Sequence, residues 1–100
     1  MPIEDDIKQK ILSETATIDW KSLERFYASG SVIWVDGHLD LVDIALKFIK
    51  DDNQSIEKLL ISGEIGKLNK KIAKDWQQTN PELWATVVSP WALVQLRLPS

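Results

Sequence analysis

The residues best suited to chemistry form an acidic run around the single histidine. Asp36, His38 and Asp40 lie close together, and Asp43 follows one helical turn later. Carboxylate and imidazole groups can hold a metal ion or move protons, so the run is a candidate site for an enzyme or a metal-binding protein. The same residues also fit a structural interpretation, namely an Asp-Gly turn, a helix N-cap and a solvated helix face. We favour the structural interpretation.

Established site patterns are not met by this run. A calcium loop of the EF-hand type starting at Asp36 needs a glutamate at its twelfth position, and that position is Lys47. One histidine without any cysteine disfavours a zinc site. A Ser–His–Asp triad is formally possible, but no serine lies in a nucleophile elbow. We therefore predict no catalytic residue, no metal ion and no cofactor, and lean against an enzyme.

A second polar group is a cluster of lysines at positions 67, 70, 71 and 74. It could bind a polyanion, and a weak nucleic-acid binder is a further alternative. Asp75 reduces the positive charge of the cluster, and the chain carries a net charge of −3. Nucleic acid is therefore an unlikely partner, and a solvated helix face is the simpler interpretation.

Tryptophan is abundant, with five in 100 residues. Three of them fit a core: Trp20, Trp76 and Trp84. Aromatic residues are also enriched where proteins meet. The candidates for an interface are Trp34, Trp84, Trp91 and Val94.

The apolar ribbon Leu83–Leu98 is the stretch that the other elements must cover. It is rich in β-branched and aromatic residues and is interrupted once, at Ser89-Pro90. It predicts one kinked strand or two strands. Proline is poorly tolerated inside a central strand, so Pro90 should mark a bulge, a turn or an edge. If part of the ribbon lies at an edge, another copy of the chain could dock there.

Apolar spacing and capping residues predict five helices and two further strands. Asp19, Asp40 and Asn69 are the expected N-caps. The predicted helices cover about 3–14, 20–28, 41–50, 54–62 and 70–78. A central strand is predicted at 31–35, an outer strand at 64–68, and a short joint at 15–18.

Residues 19–36 and 52–69 resemble each other at a constant offset of 33 residues. The five identities are Asp19/Asp52, Ser22/Ser55, Glu24/Glu57, Ser29/Ser62 and Gly30/Gly63. The pattern fits a duplicated α–β–α unit, and it equally fits two units that converged on the same capping rules. Either way, the two strands can share one sheet, and they would be parallel if the intervening helices cross one face.

The whole chain, residues 1–100, is predicted to form one domain. The fold class is α+β, with about five helices around a small mixed sheet of three to four strands. The acidic N-terminus has no apolar signal region, and no segment is long enough to span a bilayer. With no cysteine present, we expect a soluble cytoplasmic protein without a membrane partner.

Two blocks, WVDGHLDLVDIALKFIKDD and NPELWATVVSPWALVQ, resemble a family of small bacterial proteins known as a domain of unknown function. The resemblance implies a compact single-domain bacterial protein and supplies no activity, cofactor or site residue. The leading functional hypothesis is therefore a non-catalytic binding or assembly module. Its partner is expected to be another protein or a second copy of the chain, and a homo-oligomer is favoured.

Overall fold

The computed structural model describes the backbone of residues 3–96 and the side chains of residues 6–96. The described part of the chain contains five helices and five strands. The helices are α1 Ile3–Glu14, α2 Trp20–Ala28, α3 Leu41–Ile49, α4 Asn53–Ser62 and α5 Lys70–Thr79. The strands are β1 Ala16–Ile18, β2 Val32–Val35, β3 Ile65–Lys67, β4 Leu83–Val88 and β5 Trp91–Leu96.

The helix boundaries follow the predicted caps. Side-chain oxygens of Asp19, Asp40 and Asn69 accept backbone N–H bonds at the starts of α2, α3 and α5. Asp52 does the same for α4. Gly63 ends α4 with a φ of 81°, a left-handed conformation that an L side chain disfavours. Local capping therefore accounts for the starts of these four helices and for the end of α4.

The strands form one mixed sheet in the order β1-β4-β5-β2-β3. The α+β prediction is confirmed, although the sheet has five strands where three to four were expected. The additional strand is β1, at positions predicted to be a joint. It pairs antiparallel with β4. Three residues are too few for a periodic signal, and the free edge of β4 supplies the pairing that makes them extended.

The ribbon forms the antiparallel hairpin β4–β5, which turns at Ser89-Pro90 as expected. Residues 97–98 of the predicted ribbon lie outside the described residues. Strand β2 pairs with β5, whereas β1 pairs only with Leu83–Ala85 of β4, so Thr86–Val88 have no strand partner on that side in the described sheet. Part of the ribbon therefore lies at an edge, and the docking of another copy there stays a prediction. The edge strands of the described sheet are β1 and β3.

The strands of the two similar units share the sheet, but they run antiparallel rather than parallel. Two helices separate β2 from β3, so the chain crosses the sheet face twice and returns to the end where β2 stopped. The Asp36 N–H accordingly donates to the Glu64 carbonyl oxygen at 2.9 Å. The parallel neighbour of β2 is β5. The common origin of the two units stays a hypothesis.

Helices cover both faces of the sheet, and side chains alternate between two cores. Ile33 and Val35 of β2 belong to the core under α1, α3 and α4, here the α3-side core. Val32 belongs to the core under α2 and α5, here the α5-side core, and Trp34 packs against it. No helix in the described chain is long and apolar enough to cross a bilayer.

Candidate functional site

His38 joins two segments that are distant in sequence. It lies in the loop between β2 and α3, where its Nδ1 is 2.6 Å from an Asp36 carboxylate oxygen. Its Nε2 is 3.0 Å from a carboxylate oxygen of Glu64, the residue just before β3. We call Asp36, His38 and Glu64 the His38 clasp. Glu64 was not among the predicted site residues, and only the pairing of β3 with β2 brings it here.

Electrostatics in the clasp favour the charged forms. The hydrogen bond to Asp36, and then the one to Glu64, raise the pKa of His38. The His38 ring and its backbone N–H in turn lower the pKa of Asp36. The His38 side chain is 60% exposed, so solvent screens these interactions. The clasp is an imidazole ring between two carboxylates at the protein surface, and both contacts favour its protonated form.

Gln95 of β5 anchors the loop that carries the clasp through two hydrogen bonds. The Gln95 side-chain amide donates to the Asp36 carbonyl at 2.9 Å and to the Leu39 carbonyl at 2.6 Å. Both partners are acceptors, so the amide nitrogen must face the loop. Strand β5 therefore fixes the backbone of the loop, and this backbone places the His38 side chain beside Glu64.

The structure separates the acidic run that could have formed a site. Asp40 accepts the Val42 N–H at 2.9 Å as the cap of α3. Asp43 forms an ion pair with Lys8 of α1 at 3.2 Å. Only Asp36 and His38 of the predicted set come together, and both imidazole nitrogens face carboxylates. Among residues 6–96, no group of three or more His, Cys, Asp or Glu side chains is arranged to hold a metal ion.

The lysine cluster is also divided, between the two faces of the sheet. Lys67 extends over the Trp91 indole, with Nζ 5.5 Å from the ring centroid. Trp91 packs against the α3-side core. Lys70, Lys71 and Lys74 are exposed on α5, which covers the opposite face. The four ammonium groups therefore do not form one patch.

A cleft beside Trp91 is lined mainly by apolar side chains. It has a volume of about 560 Å³ and lies between the end of α3, helix α4 and the β4–β5 turn. We call it the Trp91 cleft. Its apolar lining is Ile33, Phe48, Ile49, Ile56, Leu60, Val88, Pro90 and Trp91. Its charged lining residues are Asp51 and Lys67.

Helix α4, which forms one wall of this cleft, is only partly covered. None of its residues is fully buried, whereas α3 buries four. Ile56 and Leu59 pack against the α3-side core. Leu60 is 47% exposed and Ile61 79% exposed. An apolar surface therefore runs from the core side of α4 to its outer face.

Residues 6–96 match the family described as "Protein of unknown function (DUF2288)". The chain belongs to this family. The resemblance inferred from the two sequence blocks is thus confirmed at the level of the family. A search of curated proteins found no significant match.

A solved structure shares the fold of this DUF2288 chain. It is the NMR solution structure of PA1075 from Pseudomonas aeruginosa, which is 38% identical in sequence. The alignment covers 94% of this chain and 87% of that one, with a TM-score of 0.82. The similarity therefore extends over nearly the entire DUF2288 domain.

The predicted interface residues occupy different parts of the DUF2288 fold. Trp91 is half-buried and lines the Trp91 cleft. Trp84 is half-buried against the α3-side core. Trp34 lies on the other face, against the α5-side core. Val94 is fully buried, so it cannot contact a partner in the folded chain.

Sequence reasoning missed the exposure of Ile49 and Leu60, which line the cleft with Trp91, and of Ile61, the next residue of α4. In the sequence Ile49 and Leu60 look like core residues, because both follow a helical apolar pattern. One signal was present. Leu59, Leu60 and Ile61 are consecutive, and three adjacent positions on a helix span more than one buried face.

Proposed function

We propose that this DUF2288 protein is a non-catalytic binding module that contacts another protein through the Trp91 cleft. In this proposal the partner places aliphatic side chains against Trp91, Leu60 and Ile49. The protein acts in the cytoplasm, as expected from its sequence, and cell fractionation of a tagged copy would check that location.

The incomplete burial of α4 is the observation that carries the proposal. Leu60 and Ile49 line the cleft and are 47% and 44% exposed, and Ile61, which follows Leu60 in α4, is 79% exposed. Single exposed hydrophobic residues are ordinary, but contiguous apolar surface beside a concavity is typical of interaction sites. Apolar area removed from water contributes about 25 cal/mol per Å², so a partner that covers this surface gains free energy.

Trp91 gives the cleft a rigid contact surface. Its indole packs against the α3-side core, and the Lys67 ammonium group lies 5.5 Å from the ring centroid. Tryptophan residues of this kind contribute a large share of binding energy at protein interfaces. The cation–π contact also keeps a positive charge at the rim, where it can orient a partner.

The His38 clasp gives less support to the enzyme or metal hypothesis. A general base or metal ligand needs a free lone pair on a ring nitrogen. In the clasp, Nδ1 and Nε2 both lie within hydrogen-bond distance of carboxylates. The raised pKa of His38 further favours the form in which both nitrogens carry protons. The clasp thus fits a structural tie between the loop and β3.

Affinity capture with matched variants tests the proposal. Leu60→Asp places a charge in the cleft, and Leu12→Asp places the same charge on an exposed leucine of α1 as a control. A captured protein counts as a partner only if, once purified, it binds wild type and Leu12→Asp equally. We expect Leu60→Asp to weaken that binding at least about tenfold, or about 1.4 kcal/mol. Partners that bind Leu60→Asp as tightly as wild type would refute the proposal.

A further inference from the structure

The Trp91 cleft and the exposed part of α4 are neighbouring features of one surface. Leu60 lines the cleft, and Ile61 is the next residue of the helix. Successive helical residues are rotated by about 100°, so Ile61 points outward where Leu60 points into the cleft. A projecting aliphatic side chain and an apolar depression therefore lie side by side.

From this arrangement we infer that the occupant of the Trp91 cleft is a second copy of the chain. The two copies form a two-fold dimer in which α4 of each lies across the cleft of the other. A two-fold interface uses the same patch on both copies, so the patch must be complementary to itself. Ile61 of one copy fills the depression beside Trp91 of its partner, and the reverse contact forms at the same time. The inference rests on the proposed function, since it names the protein that the cleft binds.

The charges of the cleft support a second copy over a strongly charged partner. The charged lining residues are one anion, Asp51, and one cation, Lys67. Two-fold pairing can bring Asp51 of each copy toward Lys67 of the other. A patch that is neutral overall and carries both signs does not repel its own copy.

The apolar surface also continues beyond the cleft. Ile49 and Val88 line both the Trp91 cleft and a second depression of about 310 Å³ beside α1. Val87 lines that second depression and is 53% exposed. The joined surface gives a partner copy more apolar area to cover than the cleft alone, as a stable dimer requires.

Sedimentation equilibrium of the purified chain tests the inference, because the monomer has a mass of 11.4 kDa. Between about 1 and about 100 µM, we expect the wild type to approach twice this mass. Ile61→Asp should raise the dimer dissociation constant at least about tenfold. Ile61 is 79% exposed, so this variant is expected to fold, and circular dichroism would confirm that it does. Leu12→Asp should leave the constant within about twofold of the wild type.

Indole NMR signals locate the contact. The Trp91 Nε1–H resonance, assigned from its loss in Trp91→Phe, should shift with protein concentration. The Trp20 resonance should not, because Trp20 is buried on the α5 side. A wild type that stays monomeric to about 100 µM, or a dimer that Ile61→Asp leaves intact, would overturn the inference.

Failure of this inference and failure of the proposed function give different results. A monomeric chain that still binds a different purified protein, with binding lost in Leu60→Asp, rejects the second copy and retains the binding module. A monomeric chain without any cleft-dependent partner rejects both.

Discussion

The Nε2 atom of His38 lies 3.0 Å from a Glu64 carboxylate oxygen, although 26 residues separate them in the chain. This contact ties the loop after β2 to the start of β3, next to the backbone bond from Asp36 to Glu64. The two strands are thus joined at one end by a backbone hydrogen bond and by an ion pair that depends on pH.

The first prediction is that His38 makes the stability of the fold dependent on pH. Its pKa is raised in the folded state, so its contribution is fully present below the pKa of an unfolded histidine. That contribution is lost as the pH rises through the raised pKa. The pKa of Asp36 is lowered, so its contribution is lost as the pH falls through that lowered pKa. The clasp therefore stabilises the fold most in the window between the two groups.

Urea unfolding of wild type and His38→Gln at several pH values measures this effect. Wild type should have the larger unfolding free energy near pH 6, and its advantage over His38→Gln should shrink as the pH rises through the raised pKa of His38. Glu64→Gln retains a hydrogen-bond acceptor but loses the charge. When His38→Gln is compared with wild-type His38 in this background, the difference in unfolding free energy should be smaller but not zero. A difference that is constant with pH, or that grows with it, would contradict the assignment.

Gln95 is predicted to matter for stability although it is polar. The half-buried Gln95 side-chain amide donates hydrogen bonds to the carbonyl groups of Asp36 and Leu39. Gln95→Ala removes the donor from both carbonyls, so we expect a loss of about 1–3 kcal/mol in unfolding free energy. Gln95→Glu should be at least as damaging, since a carboxylate facing two carbonyls can only repel them. Equal stability of Gln95→Ala and wild type in chemical denaturation would show that water replaces the amide.

Local features of this fold were predictable from the sequence, and features that depend on distant pairing were not. Asp19 and Gly63 act through bonds to neighbours a few residues away, so their side chains alone indicate the helix ends. The direction of β3 relative to β2 depends on how two intervening helices return the chain, which no short pattern encodes. For the same reason Glu64 could not be associated with His38 before the strand pairing was known.

Burial was the least predictable property of the candidate site. Val94 and Trp91 both belong to the apolar ribbon, yet one is fully buried and the other lines a cleft. The difference arises from their positions along β5, since Trp91 lies at the turn and Val94 lies between β4 and β2. The apolar character of a residue indicates that its burial is favourable, but the tertiary fold determines whether the residue is buried.

Asn69 provides a test of the capping interpretation. Its side-chain oxygen accepts the Ile72 N–H at 2.9 Å and so satisfies one free donor at the start of α5. Asn69→Ala should destabilise the protein by about 1 kcal/mol. Asn69→Asp is the matched control, because aspartate accepts the same bond and should retain most of the stability. The cap would be unimportant if thermal unfolding gave both variants the same midpoint as the wild type.

Two leucine substitutions separate packing from binding. Leu93 of β5 is fully buried in the α3-side core, whereas Leu60 of α4 is 47% exposed. Leu93→Ala removes buried atoms and leaves a cavity, so its cost should be about 2–5 kcal/mol. Leu60→Ala loses contacts on one side only and should cost less than about 1 kcal/mol at concentrations where the chain is monomeric. Chemical denaturation of both variants at low protein concentration measures the two losses in unfolding free energy. A cost for Leu60→Ala as large as that for Leu93→Ala would mean that Leu60 is a core residue, and α4 would then not offer Leu60 to a partner at the Trp91 cleft.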